Sequence, residues 1–469
     1  MFAQCFQRPI AALIGRSPVA TGGNLRLLFG LKVGLACWAA MALPGSIAAE
    51  DWPQWMGVHR DGHSHETGLI DQIPEGGLPI VWRSSIAGGY SGPAVADGRV
   101  FVTDYVAESD ELKNDPGVRD KRKGSERIVC LDLATGKTLW KVEYARSYNV
   151  SYAAGPRATP TVDGDRVYAL GAEGDLHCVQ AETGKVVWRR QLAEEFRSEP
   201  PIWGHAAHPL VVGDLIYCLA GGSDSVVVAL DKMTGKTVWQ ALSASEIGYC
   251  PPSLATIAGQ QQLLVWHADA ICGLDLLSGK SLWEYPLKPQ YGMSIGAPRI
   301  QGNRMFASGI GDTAAMVEFD ASGKPTKTLW QGKPKTAVFS GNATAMWLEG
   351  VIYGADCQTG QFVAFDAQTG DRYWETFSLT TGGQRRASHG TAFTIQNEWR
   401  TFVFAETGEL ILAKLSQEGV QEKGRMKLLE PTGECFGRPV VWSHPALASR
   451  CLIARNDKEI VCVNLAAQP

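Results

Sequence analysis

Three of the nine histidines in this 469-residue chain occupy one kind of place. His208, His389 and His444 each stand immediately before a small or turn-forming residue, Pro209, Gly390 and Pro445, at the head of an apolar run. The same marker recurs as Pro93, Pro160, Pro252, Pro298 and Ala343, preceded by Gly92, Thr159, Pro251, Ala297 and Asn342. Arginines lie near these markers: Arg157, Arg299, Arg385, Arg386 and Arg438. If the eight marked positions surround one axis, histidines and arginines meet in a polar, basic funnel suited to an anionic ligand or peptide. Arginine forks grip carboxylates or phosphates, and histidine adds donors whose charge is tunable near neutrality. The funnel candidates are therefore Arg157, His208, Arg299, Arg386, His389, Arg438 and His444. Two other uses of these residues stand beside this one: a metal held by two or three imidazoles, and polar groups that satisfy backbone carbonyls in a wet channel. Orientation decides among them, because a one-residue slip turns a strand side chain to the opposite face. A second group, His59, His63 and His65 with Asp61, has the look of a metal cluster but lies in a Gly-rich amino-terminal stretch, and is read as a loop, ordered or flexible. No catalytic residue and no metal site is assigned.

The elements that must place these residues come from one phrase repeated along the chain. Cys130-Leu-Asp132-Leu-Ala-Thr-Gly136-Lys137-Thr-Leu-Trp140 returns around Trp188, Trp239, Trp283 and Trp374, and in stretched form around Trp330. Successive Trp residues lie 48, 51, 44, 47 and 44 residues apart. Each copy reads as strand, tight turn, strand. The small residue two before Asp fits where neighbouring sheets press together, and Gly supplies the positive φ of the turn. The Trp is then free to lie flat between adjacent sheets. A period in the forties made of short strands predicts the blades of a β-propeller.

Eight markers predict eight blades. The seventh lacks its Trp near Arg425–Leu429, and the eighth reaches Leu465 without a Trp strand. An orphan strand near the front, Leu78-Pro-Ile-Val-Trp82-Arg83, can supply it. The fold class is therefore all-β, an eight-bladed propeller whose ring is closed by an N-terminal strand pairing with the C-terminal blade, so that no long sheet edge stays open. The docking residues are Trp82, Trp140, Trp188, Trp239, Trp283, Trp330 and Trp374. Residues 78–469 form the propeller as a single domain, and residues 50–77 an N-terminal extension. A charged insertion at 108–126, inside blade 1, reads as a solvated hairpin loop, with a lid or docking loop as the other reading.

Residues 1–49 read as a signal peptide for export. Arg8, Arg16, Arg26 and Lys32 lead into an apolar stretch, Val33–Leu43, and Ser46-Ile-Ala48-Ala49 offers small cleavage positions. The apolar stretch is too short for an ordinary membrane span. Its removal takes four basic and no acidic residues, moving the formal charge from −4 to −8. With no basic face or stripe, a nucleic-acid partner is not expected. Nine cysteines remain, with no Cys-x-x-Cys and no adjacent pair. Cys130, Cys178 and Cys462 fill the small-residue slot of three blades and read as buried small hydrophobes. The expected protein is a periplasmic or otherwise extracytoplasmic bacterial monomer.

The repeat, A/G/C-x-D-x-x-T/S-G-K-x-x-W, resembles the tryptophan-docking motif of pyrroloquinoline quinone (PQQ) dehydrogenases and of the eight-bladed BamB propellers. The opening Asp51-Trp52-Pro-Gln-Trp55-Met-Gly57, the Gly155-Pro-Arg157 segment, Trp203-Gly204 and Val441-Trp442-Ser-His444 look like exported PQQ-like propellers abundant in planctomycete-type bacteria. The resemblance implies the fold across residues 78–465 and leaves activity divided. PQQ alcohol dehydrogenases carry a vicinal Cys-Cys ring, a calcium site of Glu, Asn and Asp, and an Asp base; this chain has no vicinal Cys pair and no carboxylate set that matches. PQQ and calcium are therefore not assigned as cofactors, and no catalytic residue is carried over. BamB implies a non-catalytic scaffold that binds a protein, peptide or polymer partner at the cell envelope, which is the preferred expectation. A quinoprotein-like oxidoreductase with an atypical site, stacking its cofactor on Trp203, Tyr249 or Trp442, is the alternative. A hydrolase or lyase built on His208, His389 or His444 is a third.

Overall fold

The computed structural model describes residues 50–109 and 111–468; the signal peptide assigned to residues 1–49 lies outside them. Eight four-stranded antiparallel sheets follow one another along the described chain. Blade 1 is Ala94–Ala96, Arg99–Ala107, Gly124–Asp132 and Thr138–Ala145, and blades 2 to 7 repeat that order. The short first strand of each blade follows its sequence marker and lines the axis. In blade 1 it is buried throughout, whereas the fourth strand alternates between exposed and half-buried residues. Blade 8 joins Ala446–Ala448, Cys451–Arg455 and Glu459–Asn464 to Ile80–Ser85, which pairs with Glu459–Asn464 as the sequence predicts.

The turn of the repeat explains why the blades hold together. Asp132 Oδ1 accepts the Thr135 amide at 2.8 Å and its hydroxyl at 2.6 Å, and Gly136 takes φ +69°. A Cβ on Gly136 would lie 2.5 Å from the Trp82 ring, so glycine is required by the turn and by its neighbour at once. Trp82 also donates its Nε1–H to the Leu133 carbonyl at 2.7 Å. The same contact runs from Trp140 to Ala181, Trp188 to Lys232, Trp239 to Leu276, and Trp330 to Ala367, each at 3.0 Å, and from Trp374 to Ser416 at 2.8 Å. Trp283 departs from the pattern and donates to Gln262 Oε1 within its own blade. The facing turn, Asp320-Ala-Ser-Gly323, is one residue shorter, and Trp283 packs edge-on against Phe319 instead, at 5.2 Å. Cys130, Cys178 and Cys462 are fully buried between blades.

Residues 50–77 are built into the ring. The backbone of Trp52 exchanges hydrogen bonds with Val95 of blade 1, at 2.9 and 2.8 Å. Further on, Ser64 N–H reaches Gln396 O and Gln396 N–H reaches Gly62 O, both at 2.8 Å, on the first strand of blade 7. Between these anchors the chain crosses the axis. Arg60, 5 % exposed, donates to Gln54 Oε1 at 2.8 Å and to the carbonyls of His208 at 3.2 Å and Pro252 at 3.0 Å. It also bonds the carbonyl of Pro209. One guanidinium thus ties the segment to the heads of blades 3 and 4, and the segment plugs one end of the channel.

The insertion in blade 1 is likewise tied down. Asp120–Arg122 pairs with Tyr148–Val150, and Arg119 donates to Asn149 O at 2.6 Å and Pro200 O at 2.9 Å. Main-chain groups that a solvated hairpin would leave to water are taken by the strand after blade 1, so the insertion forms an ordered lip.

The seam of the ring is its most exacting contact, since blade 8 is assembled from both ends of the described chain. Trp82→Ala removes a large buried ring and one hydrogen bond, and should cost about 3–5 kcal/mol. Urea unfolding of the variant beside Trp374→Ala checks this, with Trp82→Ala expected to lower the midpoint at least as far.

Candidate functional site

The plug leaves a chamber of about 530 Å³ at the other end of the channel. Its floor is Trp55, carried on the plugging segment. Its walls are aromatic: Tyr90, Tyr152, Trp203, Tyr249, Phe393 and Trp442. Except for Phe393, which lies in the first strand of blade 7, these rings come from loops that precede the first strands of different blades, so closure of the propeller brings them together. Trp203 meets Tyr249 edge-on at 5.7 Å, and Tyr152 lies 5.8 Å from Trp442. Tyr291 and Phe436, both more than half exposed, stand at the mouth, and Pro116 and Gly117 of the lip complete one side.

Two histidines meet on the floor. His208 stacks on Trp55 at 4.9 Å with an interplanar angle of 15°, and His444 lies 6.2 Å from His208, ring centre to ring centre. Their tautomers are set by their neighbours. His208 Nδ1 accepts the Thr159 amide at 2.7 Å, so the proton of a neutral ring sits on Nε2. His444 Nε2 accepts the Trp55 indole N–H at 3.3 Å, so its proton sits on Nδ1. Both rings are neutral. Burial pushes His444 down to about 3, and burial with the nearby His444 and Arg60 pushes His208 well below the usual imidazole range.

Of the seven residues expected in a basic funnel, the structure brings four to the chamber: Arg157, His208, His389 and His444. Arg157 turns its guanidinium onto the carbonyls of Gly155, Ser151 and Tyr152, at 2.5 to 2.7 Å, and lies 5.4 Å from the Tyr90 ring centre. His389 stands at the mouth, stacked on Phe436 at 5.6 Å. The other three go elsewhere. Arg299 follows its marker by one residue, so strand alternation aims it at the plug, where it donates to the carbonyls of Arg60 and Asp61. Arg438 is claimed by the buried Glu406 carboxylate at 2.7 Å. Arg386 is exposed and reaches only the Gln358 carbonyl. The chamber is therefore aromatic, with its cations set behind or beside the wall. Sequence reading missed Trp55, Tyr90, Tyr152, Phe393 and Phe436. For Trp55 a signal was present: a large apolar residue in a polar, Gly-rich stretch has to be buried somewhere.

The donor set also bears on the quinone cofactor of the resembling dehydrogenases. A calcium ion needs several hard oxygens, usually carboxylates, converging on one point. Among the described residues no Asp or Glu lines the chamber; its side-chain oxygens belong to tyrosines, Asn342 and Thr344. These residues do not fit a calcium-held quinone.

A ring of tryptophan-docked blades, plugged at one end and holding an aromatic chamber at the other, defines a PQQ-repeat propeller. The family model described as outer membrane protein assembly factor BamB matches residues 124–376, and the chain belongs to that family. It is 27 % identical over 271 residues to outer membrane protein assembly factor BamB of Burkholderia pseudomallei, covering 55 % of this chain and 65 % of that one. It is 24 % identical over 323 residues to the 1-butanol dehydrogenase (quinone) of Thauera butanivorans, covering 66 % of this chain and 48 % of that one. The chain thus spans between about half and two thirds of the length of these relatives. Among solved structures, BamB of Moraxella catarrhalis superimposes with a TM-score of 0.51 at 16 % identity, over 83 % of this chain and 99 % of that one. A europium-containing methanol dehydrogenase gives 0.57 at 12 % identity, over 88 % and 89 %. These likenesses show the fold.

The buried imidazoles give the protein a pH signature. His444 binds its proton more weakly folded than unfolded, so below pH 6.5 the unfolded chain takes up a proton that the folded chain refuses. Its contribution is full above that pH and is lost as the pH falls toward about 3, by something on the order of a few kcal/mol. His444→Gln should therefore lose less stability than the parent between neutral and mildly acid pH, as urea midpoints at the two pH values will record.

Proposed function

We propose that the protein is an extracytoplasmic, non-catalytic binding module, which receives part of a protein, peptide or polymer partner in its axial chamber. The observation that carries this reading is the state of the two floor histidines. A general base needs a free lone pair within reach of a substrate proton. The basic nitrogen of His208 is occupied by the Thr159 amide, and that of His444 by the Trp55 indole. No carboxylate in the lining can replace them. His389, at the mouth, has no acid or nucleophile hydrogen-bonded to it among the described residues. What remains is the usual makeup of a binding pocket, an apolar aromatic cup with a few placed polar groups. The assembly-factor name of one set of relatives agrees with a binding role, and an extracytoplasmic site agrees with the basic and apolar lead of residues 1–49. Among the described residues no helix is long and apolar enough to cross a membrane.

The test compares binding with turnover. A photo-crosslinking residue at Phe436, on the rim, should capture one defined partner in living cells, and Ala206→Trp, which fills the chamber, should abolish that capture. The same protein, mixed with PQQ, Ca²⁺ and a redox dye, should oxidise neither alcohols nor sugars. Dye reduction that Ala206→Trp eliminates would overturn the proposal in favour of a quinoprotein.

A further inference from the structure

The floor of the chamber combines three features that together select a ligand charge. The first is a pair of fixed donors. With Nδ1 of His208 and Nε2 of His444 each occupied as an acceptor, the opposite nitrogens, His208 Nε2 and His444 Nδ1, carry protons and make no hydrogen bond among the described residues. His208 is 6 % exposed, so its free N–H has little but the chamber to serve.

The second is positive charge that has no ion-pair partner among the described residues. Arg60, directly under His208, is held by carbonyls, a hydroxyl and an amide oxygen, and pairs with no carboxylate. Arg157, in the wall, bonds only carbonyls. Two acids near these groups keep their charge and temper the field, but neither forms an ion pair with Arg60 or Arg157. Glu173 accepts the Asn149 amide at 2.6 Å, and Asp457 accepts the Gly89 amide at 3.0 Å and the Thr432 hydroxyl at 2.9 Å. Fixed charge in a low-dielectric cleft acts over a longer range than it does in water. The third feature is the aromatic wall above the floor, which takes an apolar body and offers no acid to a cation.

We propose that the chamber floor binds the carboxylate of an apolar organic acid, with His208 Nε2–H and His444 Nδ1–H as its donors, Arg60 and Arg157 as its field, and Trp203, Tyr249 and Trp442 around its hydrocarbon body. This rests on the reading of the chamber as the ligand site and adds the chemistry of the group received. The carboxylate is either that of a free acid or the C-terminus of a peptide ending in an apolar residue. The floor imidazoles act as neutral donors, as fixed hydrogen-bond donors do at other buried oxyanion sites.

Three shape-matched probes of different charge test the proposal on the purified protein: N-acetyl-phenylalanine, N-acetyl-phenylalaninamide and phenethyltrimethylammonium. Tryptophan fluorescence reports chamber entry. The carboxylate should quench saturably, the amide should bind about tenfold or more weakly, and the ammonium should not bind. Added salt should weaken the carboxylate alone. Because a His208 variant is liable to disturb the floor itself, the second readout is the imidazole N–H resonances of His208 and His444, which the carboxylate should shift. An amide that binds as well as the acid overturns the charge assignment while leaving a binding chamber. Failure of every probe to enter overturns the chamber reading with it. Unmoved imidazole resonances in the presence of saturable binding overturn the assigned donors. Phenylacetate and N-acetyl-Gly-Gly-Phe separate the sources: tighter binding of the first assigns a free acid, and of the second a peptide terminus.

Discussion

The structure depends on one charge placed where a propeller would otherwise have a hole. An eight-bladed ring leaves a wide axis lined by the carbonyls that head each first strand, and those carbonyls need donors. Arg60 supplies them from the middle, bonding His208 O, Pro209 O and Pro252 O while its own backbone carbonyl is held by Arg299. Burial lowers its proton affinity only to about 9, so it stays charged at neutral pH. The cost of a buried guanidinium is met by filling its donor positions with neutral acceptors from separate blades. That network fixes the segment on both sides of it. Trp55 is then set as a floor, stacked under His208, and its indole N–H fixes the tautomer of His444.

Function follows from this arrangement through what it forbids as well as what it offers. A plugged channel is a cup, entered from one face. The cup has rigid aromatic sides, because its rings sit at the heads of blades locked to one another by tryptophan. Its histidines are spent as acceptors toward the protein and keep their remaining N–H groups for the chamber, and the proposed binding role rests on that division. The same repeat occurs in relatives named as an assembly factor and as a quinone dehydrogenase, so the ring of blades by itself does not choose between those uses.

The repeat was legible in the sequence because its physics is local. Asp132, Thr135, Gly136 and Trp140 lie within nine positions, and each copy solves the same turn and the same docking contact. The copy around Trp330 is irregular in the sequence, but the displaced hydrogen bond of Trp283 that faces it is seen only in the structure. The markers located the heads of the first strands for the same reason. The site was legible only in part. His208 and His444 precede their markers by one residue and reach the floor, whereas Arg299 follows its marker by one and faces the plug. Arg438 depended on Glu406, which lies 32 residues away in sequence and carries no motif. Arg60 was hidden most completely. Its side-chain contacts span up to 192 residues, and nothing periodic sets it apart from any arginine in a polar loop.

The central claim is that residues 50–66 form the floor of the site and are not a tail. Amide hydrogen exchange measures this directly, because exchange from a folded unit requires that unit to open. The amides of Trp52, Arg60, Gly62 and Ser64 all donate to backbone carbonyls within the plugged channel. The account predicts that they exchange as slowly as the first strands of blades 1 and 7, to which Trp52 and Ser64 are bonded. Exchange at the rate of an unstructured peptide, with the blades still protected, would contradict it, and His444 would then lose the indole that fixes its tautomer.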